Sequence, residues 1–156
     1  MKLISISAEK TISLGRSIAK RLNQGDIICL FGELGSGKTV FAKGVACGLK
    51  IPQQQVISPT FVLIRQYNQG RLPLYHFDLY RLELPKDILV LGYEEYFYGQ
   101  GVSIIEWPER LEQLIPKEYL RIDLKIISFN KRLFRFSCQG KRYKELLGEI
   151  NEDIRH

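Results

Sequence analysis

Gly32-Glu33-Leu34-Gly35-Ser36-Gly37-Lys38-Thr39 fills every fixed position of the phosphate-binding loop pattern G-x-x-x-x-G-K-[ST]. Just ahead of it, Asp26-Ile27-Ile28-Cys29-Leu30-Phe31 is an apolar run of strand length. Just behind it, Val40-Phe41-Ala42-Lys43-Gly44-Val45-Ala46 reads as a helix. Strand, glycine loop and helix in that order are the geometry such a loop needs. Loops of this kind lie at the carboxyl ends of strands in a largely parallel, helix-flanked sheet. The stretch therefore sets the fold class: an α/β, P-loop NTPase-like sandwich with a mostly parallel central sheet and flanking helices.

The residue types name a ligand, a nucleoside triphosphate with Mg2+. Gly32, Gly35 and Gly37 allow backbone conformations that a side chain forbids. The N–H groups from Gly32 through Glu33, Leu34, Gly35, Ser36 and Gly37 to Val40 then converge on phosphate oxygens, with the positive end of the following helix behind them. Lys38 is expected to reach the β- and γ-phosphates and the Thr39 hydroxyl to contact Mg2+. The loop is expected at the surface, so that replacing Lys38 leaves the fold intact.

The chain has 156 residues, enough for one domain with a core and too few for two ordinary ones, so residues 1–156 are read as a single domain. No apolar stretch approaches the roughly 20 residues of a membrane span. Met1-Lys2-Leu3-Ile4-Ser5-Ile6 lacks the long apolar region of a signal peptide. Cys29, Cys47 and Cys138 are odd in number, far apart and never C-x-x-C, which points to reduced thiols and a cytoplasmic protein. No membrane and no DNA partner is expected. The formal net charge is +6, and much of it falls late, at Lys131, Arg132, Arg135, Lys141, Arg142 and Lys144. That cluster is compatible with RNA or an acidic protein, and equally with a solvated basic face.

Lys2–Ile6 alternates as a strand, and Ser7 is a candidate N-cap for a helix carrying Ala8, Ile12, Gly15, Ala19 and Leu22 at helical spacing. Phe61–Tyr67 and Leu72–Arg81 are two strands joined across Asn68-Gln69-Gly70, so a hairpin should add antiparallel strands to the sheet. Leu84–Tyr98 is expected to hold a helix opening near Pro85. Val102–Ile105 is a buried strand, Tyr119–Ser128 and Leu133–Cys138 are a late pair, and Lys141–Ile150 is a helix.

Magnesium in such a site needs an acid at the end of a neighbouring apolar strand. Glu106, ending Val102-Ser103-Ile104-Ile105, is the acid that ends so apolar a run. Direct and water-mediated contact are both open, because glutamate replaces the commoner aspartate. Trp107-Pro108 follows and stiffens the segment that aims it. Thr60, in Ser58-Pro59-Thr60-Phe61, lies where a switch segment would sense the γ-phosphate or the metal, and equally reads as a turn threonine. Tyr75-His76-Phe77-Asp78-Leu79-Tyr80-Arg81 alternates, with His76, Asp78 and Tyr80 on one face. Asp78 can orient the attacking water or join the metal's outer shell. His76 alone reads as a surface or hydrogen-bonded histidine. Arg65 and Arg81 are candidate charge stabilisers.

These motifs in this order resemble the TsaE (YjeE) family of tRNA threonylcarbamoyladenosine biosynthesis ATPases. The resemblance rests on Gly32–Thr39, Ser58–Phe61, Tyr75–Arg81, Leu91-Gly-Tyr-Glu-Glu-Tyr-Phe97 and Ile104-Ile-Glu-Trp-Pro-Glu-Arg110, and covers roughly residues 7 to 112. It implies a weak ATPase in the synthesis of N6-threonylcarbamoyladenosine in tRNAs that read codons beginning with A. It implies ATP and Mg2+ as cofactors, a TsaD–TsaB type complex as partner, and tRNA met indirectly through that complex. Carried over by motif, Lys38 and Thr39 contact phosphate and metal, Glu106 contacts metal, and Thr60 and Asp78 are switch or catalytic-support residues. The family places its first helix near the adenine, which makes Glu9 to Thr11 candidate base contacts.

Two other classes share the loop. A small-molecule or nucleotide kinase needs an arginine-bearing lid, and Leu82–Gly99 carries no arginine. A GTPase is disfavoured because Asn130-Lys131-Arg132 continues with Leu133 and does not complete N-K-x-D. A non-catalytic, ATP-gated binding module would use the nucleotide only to order the Thr60 segment.

Overall fold

The computed structural model describes residues 1–156. The elements run β1 (Lys2–Ser5), α1 (Ala8–Ala19), β2 (Ile27–Phe31), α2 (Lys38–Gly48), β3 (Ile64–Tyr67), β4 (Leu74–Asp78), α3 (Tyr93–Phe97), β5 (Val102–Glu106), β6 (Tyr119–Ile126), β7 (Arg132–Gln139) and α4 (Lys141–Arg155). Short 3-10 turns occupy Gln53–Gln55, Pro85–Leu91 and Pro108–Leu114. The apolar run ahead of the glycine loop becomes the central strand of one seven-stranded sheet, in the order β1-β7-β6-β2-β5-β4-β3. The middle strands β6, β2, β5 and β4 are parallel. The expected β3–β4 hairpin adds an antiparallel strand at one edge, and β7 and β1 add two at the other.

Strand pleating divides the core in two, because successive side chains leave opposite faces. Ile28, Leu30, Ile104 and Ile122 meet α1, α2 and α4 through Ile18, Phe41, Val45 and Leu146. Ile27, Cys29, Ile105 and Phe77 face the other way, onto Ile88, Tyr93, Phe97 and Leu111. Strands β2 and β5 are buried on both faces and are largely apolar, as covered parallel strands are, whereas β6 alternates, with Arg121, Asp123 and Lys125 between its apolar residues. Burial pushes the Cys29 thiol well above its usual range, so it is packing and not a nucleophile. Helices α1 and α2 cross through Gly15 and Gly44. A Cβ on Gly15 would stand 2.6 Å from the Phe41 carbonyl oxygen, so the crossing needs glycine.

Four expected elements differ in extent or continuity. The Phe61–Tyr67 strand starts only at Ile64, because the Val62 and Leu63 amides both donate to the Pro59 carbonyl and close a turn. The strand expected to Arg81 ends at Asp78, whose Oδ1 accepts from the Tyr80 amide at 3.0 Å. The Leu84–Tyr98 helix is two pieces, a 3-10 turn and α3, broken at Gly92 with φ 64°. The final helix runs on past Ile150 to Arg155, tied back by the Asp153–Arg21 ion pair. Ser7 does cap α1, accepting from the Lys10 amide at 3.1 Å.

The parallel register fixes the site. Leu30 of β2 and Asp78 of β4 both pair with Glu106 of β5, so these strands end level at one edge of the sheet.

Candidate functional site

The loop leaves β2 at that edge. Gly35 and Gly37 take left-handed φ values of 79° and 102°, which side chains rarely adopt. A Cβ on Gly32 would sit 2.6 Å from Ser36 Oγ and 2.8 Å from the Leu124 carbonyl oxygen. Gly37 heads α2 without a side-chain cap, so the first amides of that helix face outward with no protein partner. Bare amides at a helix N-terminus, cradled by glycines, are an anion site by construction.

Glu33, Leu34 and Gly35 are exposed, as a surface loop should be, but Lys38 is only 4% exposed. Its ammonium donates to the carbonyls of Gly32 at 2.5 Å and Glu33 at 2.9 Å, and lies 4.2 Å from the centroid of the Trp107 ring. Burial lowers the Lys38 pKa, opposed by the carboxylates of Glu106, Glu109, Asp78 and Glu33. Lys38 is therefore part of the packed wall and not a freely solvated side chain.

Thr39 Oγ1 donates to both oxygens of Glu106, at 3.0 and 3.1 Å. Glu106 is only 2% exposed, and His76 Nε2 contacts its Oε2 at 2.5 Å. A hydroxyl that donates to a carboxylate keeps its lone pairs for a cation. Beside it, Thr60 Oγ1 donates to Asp78 Oδ2 at 2.7 Å, and Ser58 Oγ lies 2.7 Å from Thr60 Oγ1. Leu34, Lys38, Thr39, Thr60, Asp78 and Glu106, with Gly35, Ser58 and Trp107, enclose a polar cavity of about 150 Å³. No cluster of three or more His, Cys, Asp or Glu side chains converges anywhere in the chain. A cation beside Thr39 and Glu106 would take its other ligands from phosphate and water, which is the habit of Mg2+.

A second cavity of about 320 Å³ opens on the other side of the loop, against Gly35, Gly37 and Val40. Its walls are Ser7, Ala8 and Thr11 of the first helix and Phe129, Asn130 and Arg132 of the β6–β7 turn. Thr11 is buried and bonds Ser5 Oγ at 2.8 Å, whereas Phe129 is 97% exposed. Arg132 donates to the Gly35 carbonyl at 3.2 Å and to the Ser128 carbonyl at 2.9 Å, fastening the late turn to the glycine loop.

The fold thus gathers Gly32 to Val40, Thr60, Asp78 and Glu106 at one edge, with Thr11 alongside. Glu9 lies on the exposed first turn of α1 and lines neither cavity. Arg81 stacks on Phe61 at 4.2 Å and Arg65 lies on β3, and neither lines the cavity around Lys38. Phe129 has no signal in the sequence, whereas Ser58, Asn130 and Arg132 stand there as a neighbour of Thr60, part of an incomplete N-K-x-D and a member of the basic cluster, not as cavity walls. Trp107 is expected from the sequence to pack and to stiffen the segment that aims Glu106. Trp107 holds a left-handed φ of 59°, packs its ring tilted against Tyr80 at 5.0 Å between centroids and walls the Lys38 cavity. Strain in so bulky a residue, next to Glu106, is a mark of a site.

The family model described as threonylcarbamoyl adenosine biosynthesis protein TsaE matches residues 5–133. The tRNA threonylcarbamoyladenosine biosynthesis protein TsaE of Bacillus subtilis (strain 168) is 41% identical over 151 residues, covering 97% of this chain and 94% of that protein. Its namesake from Treponema pallidum (strain Nichols) is 41% identical over 132 residues, covering 85% of this chain and 96% of that protein. The crystal structure of Bacillus subtilis YdiB superposes with a TM-score of 0.86 at 38% identity, over 98% of this chain and 95% of that one.

Proposed function

This chain belongs to the TsaE family of threonylcarbamoyl adenosine biosynthesis proteins, and from that premise we propose that it is the ATPase component of the tRNA N6-threonylcarbamoyladenosine machinery. It binds ATP with Mg2+ at the Gly32–Thr39 loop and hydrolyses it slowly to ADP and phosphate. It works in the cytoplasm on a TsaD–TsaB type transfer complex, and meets tRNA through that complex. No helix is long and apolar enough to cross a membrane.

The observation that carries the reading is the conjunction of an uncapped, glycine-cradled helix start with the Thr39–Glu106 pair. The donor set fits its ligand: bare amides and an ammonium for phosphates, hard oxygens for the cation. Lys38 exchanges the Gly32 and Glu33 carbonyls for β- and γ-phosphate oxygens. Thr39 offers its lone pair to the cation while keeping its proton on Glu106. Bound Mg2+ neutralises charge that develops on the phosphates. Thr60, held by Asp78, is poised to trade that bond for the γ-phosphate side of the cavity, which makes the Ser58–Thr60 segment the nucleotide-sensitive element. The cavity between Thr11 and Phe129 would take the base.

Slow turnover follows from the same bonds. Asp78, the carboxylate nearest a water-orienting role, is taken up by Thr60 and the Tyr80 amide. The remaining acid in the 150 Å³ cavity, Glu106, holds Thr39 and His76. That saturation also favours a second reading, an ATP-gated module that does not hydrolyse. Phosphate release and product analysis, on the protein alone and with a TsaD–TsaB pair and tRNA, separate them. Slow release of ADP and free phosphate, coupled to repeated tRNA modification, supports the ATPase. Unchanged ATP selects the module, and a phosphorylated small acceptor selects a kinase.

A further inference from the structure

We propose that His76 is a positioning residue for Glu106: its imidazole fixes the carboxylate so that Thr39 and a divalent cation meet it in one orientation. The inference rests on the Mg2+–nucleotide reading of the site and assigns a role to a residue outside the loop and its acid.

The strand register sets up the contact. His76 pairs with Ile104 across β4 and β5, and Asp78 pairs with Glu106. His76 therefore stands one diagonal step behind Glu106 on the same face, a span that only long side chains bridge. Glutamate has the extra methylene that aspartate lacks. With it, one carboxylate reaches back to His76 Nε2 and forward to Thr39 Oγ1 at once. The extra torsion also gives glutamate more rotamers to lose, and an unrestrained one would present either oxygen to the cation. The imidazole removes that freedom, as outer partners of metal-binding carboxylates do.

The second imidazole nitrogen supports the assignment. His76 is fully buried, and its Nδ1 has no hydrogen-bond partner. The Glu106 carboxylate can only accept, so Nε2 donates to it and Nδ1 is the nitrogen left without a partner. An imidazole retained in the sheet with one nitrogen unsatisfied is there for the bond the other one makes. β4 thus carries two holders on one face: Asp78 for the Thr60 hydroxyl and His76 for Glu106.

The test measures binding of a fluorescent ATP analogue in EDTA and across a Mg2+ titration, for wild type, His76→Leu, His76→Gln and His76→Asn. The glutamine amide N–H replaces Nε2–H at similar reach, while asparagine keeps the polarity but falls short of Glu106. Leucine and asparagine should raise the Mg2+ concentration for half-maximal effect by about ten- to a hundredfold, with binding in EDTA unchanged. Glutamine should restore most of the wild-type Mg2+ response. Should leucine fail to fold, the glutamine–asparagine pair carries the same distinction. A leucine or asparagine variant that titrates Mg2+ like wild type overturns the role. So does equal loss in EDTA and in Mg2+, or a glutamine variant no better than asparagine. A wild type indifferent to Mg2+ overturns the metal reading itself, by a result independent of any variant.

Discussion

Buried charge lies at both ends of the parallel strands, and the two ends treat it differently. At the amino ends, Asp26 is 3% exposed and its carboxylate is saturated. Arg142 grips it at 3.0 and 2.7 Å, and the Asn23 amide donates at 2.7 Å. Next to it, the Tyr143 hydroxyl accepts from the Ile27 amide at 2.8 Å. A cavity of about 790 Å³ opens there, lined by Asp26, Arg142 and Tyr143, whose polar groups are already bonded. At the carboxyl ends, Lys38, Thr39, Asp78 and Glu106 are bonded too, around a smaller cavity, but with bare helix amides beside them. Saturated polar burial ties chain segments together. Polar burial with unpartnered donors beside it is suited to a ligand. The first kind should appear in stability and the second in ligand affinity, and that division can be tested residue by residue.

Lys38→Ala should give the largest effect. It removes the ammonium proposed to meet the phosphates, and nucleotide affinity should fall by about a hundredfold or more, the order of a charge-assisted contact of up to about 3 kcal/mol. The melting temperature should fall proportionately less than the affinity, because the exposed Glu33 can turn its carbonyl to water, although Lys38 itself is packed. Isothermal titration with ATP and a thermal melt give both numbers. A large drop in melting temperature with affinity kept would place Lys38 with the structural end.

Asp26→Ala is the mirror experiment. It strands Arg142 and the Asn23 amide, and should cost about 2 kcal/mol of folding stability, less than a fully buried pair because Arg142 can reach solvent. ATP affinity should stay at the wild-type value. Urea denaturation read against titration checks it, and a loss of affinity matching the loss of stability would break the comparison.

The two ends were not equally legible in the sequence. The loop was legible because phosphate binding demands a short-range backbone shape, and Gly32 to Thr39 state it within eight neighbours. Glu106 was legible because an acid ends an apolar strand. The Asp78–Thr60 bond was half legible: each residue stood out, but their meeting depends on β4 ending level with the turn at Pro59. His76 was not, since its partner is set by β4 lying beside β5, and strand order is a long-range property. Phe129 carried no signal, and Arg132 stood out only as one of a basic cluster. They reach the loop only because β6 runs beside β2 and turns back above it. The basic late cluster likewise divides by position: Arg132 walls a cavity and Arg142 pairs with Asp26. The broken helix at Gly92 shows the usual limit, a single residue whose left-handed turn overrides an apolar pattern.

Phe129→Ala sharpens the comparison where the carboxyl end is least tied down. The ring is 97% exposed, so folding should not notice its loss. If it covers the base, affinity for ATP should fall by about tenfold, the lower range of an aromatic–base stack, while inorganic triphosphate binds as before. Competition between ATP and triphosphate reads this directly. Equal affinity for ATP in both proteins would remove Phe129 from the base side.

The smallest effect belongs to the saturated end and depends on pH. Burial raises the Tyr143 pKa from 10.0 to about 12. In the unfolded chain the hydroxyl starts to lose its proton near 10, while the native protein holds it until about 12. Across that window the unfolded state binds fewer protons, so stability falls as pH rises, and the tyrosine's contribution is fully present only below 10. Tyr143→Phe has no proton to lose. It leaves the buried Ile27 amide without an acceptor, so at neutral pH it should be less stable by about 1 kcal/mol. Between pH 10 and 12 the wild type should then lose more stability than the variant, and the two denaturation curves should converge. Curves that stay parallel would mean that Tyr143 ionises as easily folded as unfolded, and that the amino end is less closed than its hydrogen bonds imply.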